Sequence, residues 1–309
     1  MPWLELAVEA DPEAVEAISE ILSRVAPGGV SVEPAFDLVE DGLGARPDPG
    51  RPAVVRAYVA GGADSPVGRV ATATVDQALG HLRAFGLRPI GELRTRVVDE
   101  ADWAAAWKTN FPVLRVGRRI VVKPTWRRHR AAPEDVVIVL DPGMAFGTGL
   151  HPTTRLCLLG LEALADAGRL DRARVLDVGS GSGILSIAAA RLGATSAIAL
   201  DIDPIAVEAS AANARRNRLA RRIRTRLGTL PTGDPPFDVV VANLVASLLV
   251  FLAGAIAAEL RPGGSWLVSG IFADREPDVV AALGEAGLAT SERWAEGDWV
   301  ALAGRSRAG

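Results

Sequence analysis

Val175-Leu176-Asp177-Val178-Gly179-Ser180-Gly181-Ser182-Gly183 is the stretch around which the chain is organised. A short apolar run enters it, and a helical pattern, Ile184 to Leu192, leaves it. This predicts a buried strand, a glycine turn and a helix, the opening unit of a nucleotide-binding α/β fold. Glycines let the backbone pass close beneath a ligand, because no Cβ stands in the way.

Two classes of ligand are held by such turns, dinucleotides and S-adenosylmethionine. The dinucleotide fingerprint is G-x-G-x-x-G/A. Started at Gly179 it meets Ile184, and started at Gly181 it meets Ser186, so the third small residue is absent in both registers. Asp177 stands at the end of the strand, where a carboxylate would repel a pyrophosphate and suit a cationic ligand without phosphates. The spacing Asp-x-Gly-x-Gly-x-Gly resembles the first motif of the S-adenosylmethionine-dependent methyltransferases. That resemblance implies S-adenosylmethionine as cofactor, with Asp177, Gly179 and Gly181 among the residues that hold it. A nicotinamide enzyme and a purely structural glycine turn are the disfavoured readings.

Composition narrows the rest. A chain of 309 residues suggests one large domain or two ordinary ones, and 49% hydrophobic residues suffice for a sizeable core. A net charge of −3 argues against nucleic-acid binding by bulk electrostatics. One cysteine, Cys157, and three scattered histidines predict neither a disulfide framework nor a metal site. Nothing at the N-terminus reads as a secretory signal, so a cytoplasmic enzyme is expected. Val239 to Ala258 is uncharged and long enough to imitate a membrane span. Asn243, Ser247 and Gly254 interrupt it, and no Lys or Arg anchors flank it, so a buried strand followed by a core helix is expected instead.

Outward toward the N-terminus, residues 2–8 read as a strand and Ala10 to Val25 as a helix, with Asp11 as N-cap and Pro12 at its first position. Strands follow at Val30 to Val32 and Val54 to Val59, separated by a Gly/Pro-rich loop from Gly42 to Pro52. After a second loop, Gly61 to Gly68, come a helix at Thr74 to Phe85 and a strand at Ile90 to Val98. The order β-α-β-β-α-β is a ferredoxin-like pattern. Three divisions are expected: 1–98 as a substrate-recognition domain, 99–130 as a linker helix and basic strand, and 131–309 as the methyltransferase domain. Trp103, Trp107 and Phe111 recur every four residues, a stripe expected to pack the linker helix on a neighbour. The basic run Arg118, Arg119, Lys123, Arg127, Arg128, Arg130 reads equally as a solvated face or a contact with an acidic partner.

Asp141 to Thr154 is too rich in Gly, Pro and Thr for a regular element, and a helix is expected from Arg155 to Ala165 with Thr153 or Thr154 near its cap. A loop of this length in an α/β domain is more often functional than not. Its backbone N–H groups and hydroxyls, Thr148 and Thr154 included, are candidates to hold a carboxylate. Beyond the glycine turn, a strand from Ala197 ends at Asp201, at the spacing where an acid accepts from a ribose diol. Asp203, before Pro204, fits a helix cap. Arg215 to Arg226 is strongly basic; charge at a helix C-terminus is favoured over contact with RNA. Phe237 to Asn243 is a buried strand that delivers Asn243 to the carboxyl edge of the sheet. Trp266 to Ile271 is a strand, Asp278 to Ala286 a helix, and Ser291 to Trp294 with Trp299 to Ala303 a hairpin.

The loop, the Asp177 glycine motif, Asp201-Ile202-Asp203-Pro204 and Val241-Ala242-Asn243-Leu244 together resemble the PrmA family, methyltransferases of ribosomal large-subunit protein eleven. Asp102-Trp103, Gly117-Arg118-Arg119, Pro124-Thr125-Trp126 and Gly297-Asp298-Trp299-Val300 extend the resemblance over nearly the whole chain. It implies a seven-stranded Rossmann-like methyltransferase domain and a small N-terminal α+β domain that grips the substrate protein; a monomer is expected. It further implies methylation of lysine ε-amines and an α-amine on that protein. Cofactor contacts carry over to Thr154, Gly179, Asp201 and Asn243. Ser180 departs from the pattern, since many members carry a cysteine there. Asn243 is expected to orient the amine, with the proton leaving to water; His151 is the one candidate for a base. A same-fold enzyme acting on another protein or a small molecule is the alternative.

Overall fold

Alternation of side chains along Trp3–Ala10 builds strand β1: Leu4, Leu6 and Val8 are fully buried on one face, and Glu5 and Glu9 take the other. The computed structural model describes residues 3–11, 14–26, 30–33, 36–38, 45–47, 52–84, 90–98, 112–141 and 149–307. The chain divides into two units, Met1–Pro112 and Val113–Gly309. In the first, β1 is followed by α1 (Val15–Val25), β2 (Val30–Glu33), β3 (Phe36–Leu38), β4 (Ala45–Pro47), β5 (Ala53–Ala60), α2 (Pro66–Ala84) and β6 (Arg94–Val98). The sheet order is β2-β5-β1-β6 with all pairs antiparallel, the ferredoxin-like arrangement. Ile18 and Leu22 of α1 and Ala71, Val75 and Leu79 of α2 pack on Leu4, Leu6, Val8, Val55, Ala57 and Val59. The opposite face is an open recess of about 520 Å³ lined by Glu5, Glu9, Arg56, Arg94 and Arg96 among others.

Several boundaries differ from expectation. Helix α1 starts at Val15 with Ala14 as its cap, and Pro12 lies outside the described residues. Helix α2 starts at Pro66, eight residues earlier than expected, because Ser65 caps it: its Oγ accepts from Gly68 N–H at 2.9 Å. The Gly/Pro-rich loop contains β4, paired with β3. The expected strand from Ile90 shrinks to Arg94–Val98, with Ile90 keeping a single bridge to Ala10. The aromatic stripe at 103–111 lies outside the described residues.

The second unit opens with β7 (Leu114–Val116) and β8 (Ile120–Pro124), a hairpin, and β9 (Val136–Leu140), parallel to β8. Of the basic run, Lys123 lies in β8, Arg118 and Arg119 fall in the turn between β7 and β8, and Arg127, Arg128 and Arg130 follow β8. Glu162 explains two of its cations: its carboxylate accepts from the backbone N–H groups of Arg118 and Arg119 at 2.9 and 2.8 Å. Both guanidinium groups also reach Asp166.

Next come α3 (Pro152–Asp166), β10 (Arg174–Val178), α4 (Ile184–Arg191), β11 (Ser196–Asp201), α5 (Pro204–Arg216), β12 (Ile223–Leu227), β13 (Phe237–Asn243), α6 (Ala246–Glu259), β14 (Leu260–Phe272), α7 (Glu276–Glu285), β15 (Leu288–Glu296) and β16 (Trp299–Ser306). The seven-stranded sheet runs β12-β11-β10-β13-β14-β16-β15. The first five strands are parallel, and β16 is antiparallel to both neighbours. Period-two alternation assigns each strand to two cores. Val175, Val239 and Val241 face α3 and α4, whereas Leu176, Val240 and Ala242 face α6 and α7. Strand β12 was not anticipated, because Ile-Arg-Thr-Arg-Leu carries too little apolar signal for an edge position. Helix α6 is less of a core helix than expected, since Phe251 is 81% exposed. No described helix is long and apolar enough to cross a membrane.

Candidate active site

Order in the sheet decides where a ligand can bind. From β10 the chain steps outward to β11 and β12, then returns to β13 on the other side of β10. The crevice beyond the carboxyl ends of β10 and β13 is the topological switch point, and it is framed by Gly179 and Asn243. The turn that leaves β10 needs left-handed backbone at Gly179, Gly181 and Gly183, with φ of 71°, 52° and 79°. At Gly179 a Cβ would also stand 2.5 Å from Leu244 Cδ2.

Two acids shape the turn from opposite sides. Asp201 receives Gly181 N–H on Oδ2 at 2.8 Å and Asp203 N–H on Oδ1 at 3.0 Å. Both donors are backbone, so the carboxylate keeps lone pairs for further donors. Asp203 caps α5 by accepting from Ile205 N–H at 2.8 Å, with Pro204 in the first turn, so the two acids have separate roles as the sequence implied. Asp177 points elsewhere. It is fully buried, and its Oδ2 accepts from Ser186 N–H at 3.0 Å and Ser186 Oγ at 2.7 Å. Its Oδ1 has no hydrogen-bond partner, and burial pushes its carboxyl up to about 7. The side chain ties the glycine turn to the start of α4 from beneath, and does not face the crevice.

The loop before α3 delivers a second group of residues. The helix begins at Pro152, earlier than expected, and its N-cap is His151 and not a threonine. His151 Nδ1 lies 2.8 Å from Thr153 Oγ1 and accepts from Thr153 N–H at 3.4 Å. The residues 152–154 expected in a loop are thus the first turn of a helix. Burial, reinforced by the Arg155 charge, lowers His151 to about 4, so the ring is neutral at pH 7. Thr154 is 1% exposed, and its Oγ1 accepts from Asn243 Nδ2 at 3.4 Å, joining two residues 89 positions apart. Gly149 is described; Thr148 lies outside the described residues.

The terminal hairpin closes this side. Trp299 meets His151 edge-on, with ring centroids 4.9 Å apart, and Phe272 at 4.1 Å. Buried Arg155 reaches both carboxylate oxygens of Glu296 through Nε, at 3.1 and 3.0 Å, and also donates to the Leu150 carbonyl. One side chain thereby fastens the loop, helix α3 and the hairpin together.

The family model for ribosomal protein L11 methyltransferase (PrmA) matches residues 2–307. The chain belongs to this family. Relatives match it over nearly their whole length. The ribosomal protein L11 methyltransferase of Chloroflexus aurantiacus is 45% identical, covering 98% of each chain. That of Pelotomaculum thermopropionicum is 42% identical over 100% of each. The solved structure of a ribosomal protein L11 methylase from Lactobacillus delbrueckii subsp. bulgaricus is 33% identical, with a TM-score of 0.57, over 64% of this chain and 98% of that one. Membership makes the chain an S-adenosylmethionine-dependent methyltransferase with an α/β fold.

The crevice fits that cofactor. The glycine turn leaves an open approach, the acceptor Asp201 faces backbone donors and pairs with no cation among the described residues, and two apolar side chains flank the acid. Ile202 is 75% exposed, and Leu227, the register partner of Asp201, is 57% exposed. Sequence reasoning missed both, and it missed the wall formed by Phe272 and Trp299. An apolar residue directly after the ribose acid was the available signal for Ile202; Leu227 depended on a strand that was not anticipated.

Proposed function

We propose that the chain methylates amino groups of ribosomal large-subunit protein eleven, lysine ε-amines and the α-amine, in the cytoplasm and as a monomer. The observation that carries the amine reading is the Thr154–Asn243 pair at the switch point. The relatives' names supply the protein that bears the amine. The N-terminal unit grips the substrate protein, and Val113–Gly309 holds the chemistry.

In this reading Asp201 accepts from a ribose diol, while Ile202 and Leu227 provide apolar surface for a nucleobase. Gly179 and Gly181 allow close backbone approach, and Thr154 holds Asn243. Asp177 acts as a positioning residue through Ser186. When bound, S-adenosylmethionine supplies a methyl already activated on a sulfonium. The protein has two tasks left: aligning the amine, and admitting it neutral. A free lysine has a pKa of about 10.4, so only on the order of one in a thousand is neutral at pH 7. Entry between Trp299, Phe272 and Leu244 disfavours the charged form. With its amide nitrogen turned to Thr154, Asn243 presents its oxygen to an amine N–H. His151 is a weak base at about 4, and its Nδ1 is engaged by Thr153, so the proton leaves to water.

The test is mass spectrometry of purified ribosomal large-subunit protein eleven after incubation with the enzyme and S-adenosylmethionine. Steps of one methyl on amino groups are expected. Cofactor binding without any mass gain would keep the enzyme class and discard the substrate.

A further inference from the structure

The active crevice occupies one edge of the seven-stranded sheet, and the opposite edge carries a different chemistry. Between Arg215 and Arg226 the chain holds seven arginines and no acid, in a protein whose net charge is −3. Two are spent on carboxylates: Arg216 on Asp141 and Arg226 on Asp234. Arg215, Arg218, Arg221 and Arg224 are exposed, and none is in an ion pair among the described residues.

The fold adds cations from other elements. Arg191, at the end of α4, donates to the Asn217 carbonyl at 3.2 Å, and Arg222 donates to the Ala190 carbonyl at 2.9 Å. The Arg172 carbonyl accepts from Thr195 Oγ1 at 3.0 Å, and the Thr195 carbonyl accepts from Arg222 at 3.4 Å. Arg172, Arg191, Arg218 and Arg222 therefore form one neighbourhood at the amino ends of β10, β11 and β12. Partial burial, and then the charges of Arg218 and Arg222, hold Arg191 below the usual guanidinium range. An acid, Asp171, lies in the same neighbourhood, beside Gly193.

We propose that this amino edge is a docking surface for the phosphate backbone of RNA. An acidic protein fits less well. The large apolar residues of the segment, Leu219 and Ile223, are 7% and 4% exposed, so the surface offers charge without the apolar anchors of a protein interface. The segment Arg215 to Arg226 also holds no aromatic residue, so it takes phosphates without stacking bases and without sequence preference. Docking here leaves the crevice at the opposite edge free for a protein substrate. The choice of RNA rests on the reading of that substrate as a ribosomal protein; the anionic character of the ligand does not.

The test is fluorescence anisotropy of the full chain with a fluorescein-labelled, mixed-sequence single-stranded RNA, between about 50 and 200 mM salt. Four phosphate contacts predict a slope of log K against log salt of about −3. The Arg218→Gln/Arg221→Gln/Arg224→Gln variant should flatten that slope by about 2 and weaken binding at least about tenfold at the lower salt. Its methylation of free ribosomal protein should be unchanged, which also reports that it is folded. If that variant fails to fold, Arg215→Gln/Arg224→Gln should flatten the slope by about 1.4. No salt-dependent binding, or an unchanged slope in the folded variant, overturns the proposal. Polyglutamate competing as well as RNA overturns it in favour of an acidic protein. RNA binding without methylation of the ribosomal protein would separate this surface from the failure of the substrate reading.

Discussion

Acids on the open face of the N-terminal sheet and acids at the carboxyl edge of the large sheet are handled in opposite ways. On the first, Glu5 is paired with Arg56 at 3.2 Å and Arg96 at 3.4 Å and accepts from Tyr58 OH at 2.9 Å, while Glu9 is paired with Arg94 at 3.1 Å. On the second, Asp201 and Asp203 meet backbone N–H groups, and Asp177 meets Ser186. A carboxylate facing guanidinium groups is neutralised by its own protein. A carboxylate held by neutral donors meets no countercharge and keeps part of its hydrogen-bonding capacity. Among these acids, the half-buried Asp201 and the fully buried Asp177 show the second arrangement doing two different jobs, one toward a ligand and one toward the fold.

Removing the acceptor that the site keeps available should have the largest effect. Asp201→Ala deletes the support of Gly181 N–H and the acceptor for a diol. Hydrogen bonds to charged groups are worth about 1.5–3 kcal/mol each, so losing two to a ligand should weaken cofactor binding by at least about 100-fold. Isothermal titration with S-adenosylmethionine measures this. An affinity within threefold of the parent, in a folded variant, would remove Asp201 from the site.

The hairpin clamp comes next. Arg155 has 9% of its side chain exposed and Glu296 33%, so the two partners are not equivalent. Glu296→Ala strands a buried cation and should cost about 3 kcal/mol, whereas Arg155→Ala leaves an acid that can turn to water and should cost less. Chemical denaturation of both variants gives the order. The reverse order would mean that the Leu150 carbonyl contact, and not the ion pair, holds the loop.

How far these regions could be read in advance follows from where their information lies. The positions of Asp177, Gly179, Asp201 and Asn243 at strand ends were legible, because each carries a local signature: a glycine turn, an acid before a capped helix, a polar residue closing an apolar run. The seven-stranded character of the large sheet followed from the family resemblance; its strand order is given by the structure. Ferredoxin-like order in the small unit followed from alternating strands and helices. Pairings across the chain were not legible. Nothing local in Arg155 or Glu296 indicates that 141 positions separate two halves of one clamp. The inward aim of Asp177 was equally hidden, since a carboxylate at a strand end can turn toward the ligand or toward the next helix.

That aim makes a prediction in pH. Asp177 has a folded pKa raised to about 7 from 3.8, so between those values the folded state binds the extra proton. Its contribution is fully present below pH 4 and is lost as pH rises toward 7. His151 is lowered to about 4 from 6.5, so there the unfolded state binds the extra proton. Its contribution is present above 6.5 and is lost as pH falls toward 4. The two slopes oppose each other across the same window. Asp177→Asn should therefore leave a melting temperature that climbs more steeply from pH 4 to 6.5 than the parent's. His151→Asn, which retains an N-cap acceptor, should give one that falls by comparison. Parallel profiles in all three proteins would mean that neither group titrates as its surroundings imply.

The smallest effects belong to the neutralised face, and they divide by burial. Glu5 is 6% exposed and is held by three donors, so Glu5→Gln exchanges charged hydrogen bonds for neutral ones and should cost about 1 kcal/mol. Glu9 and Arg94 have 43% and 74% of their side chains exposed, and solvent screens that pair. Glu9→Gln should change stability by less than about 0.5 kcal/mol, and neither variant should alter cofactor affinity. Denaturation midpoints and titrations test both statements together. A Glu9 variant that stayed fully stable but methylated the protein substrate with a raised KM and an unchanged kcat would move this face from internal neutralisation to substrate contact. The contrast between the two sets of acids would then lie in which ligand each one meets, and no longer in whether it meets one.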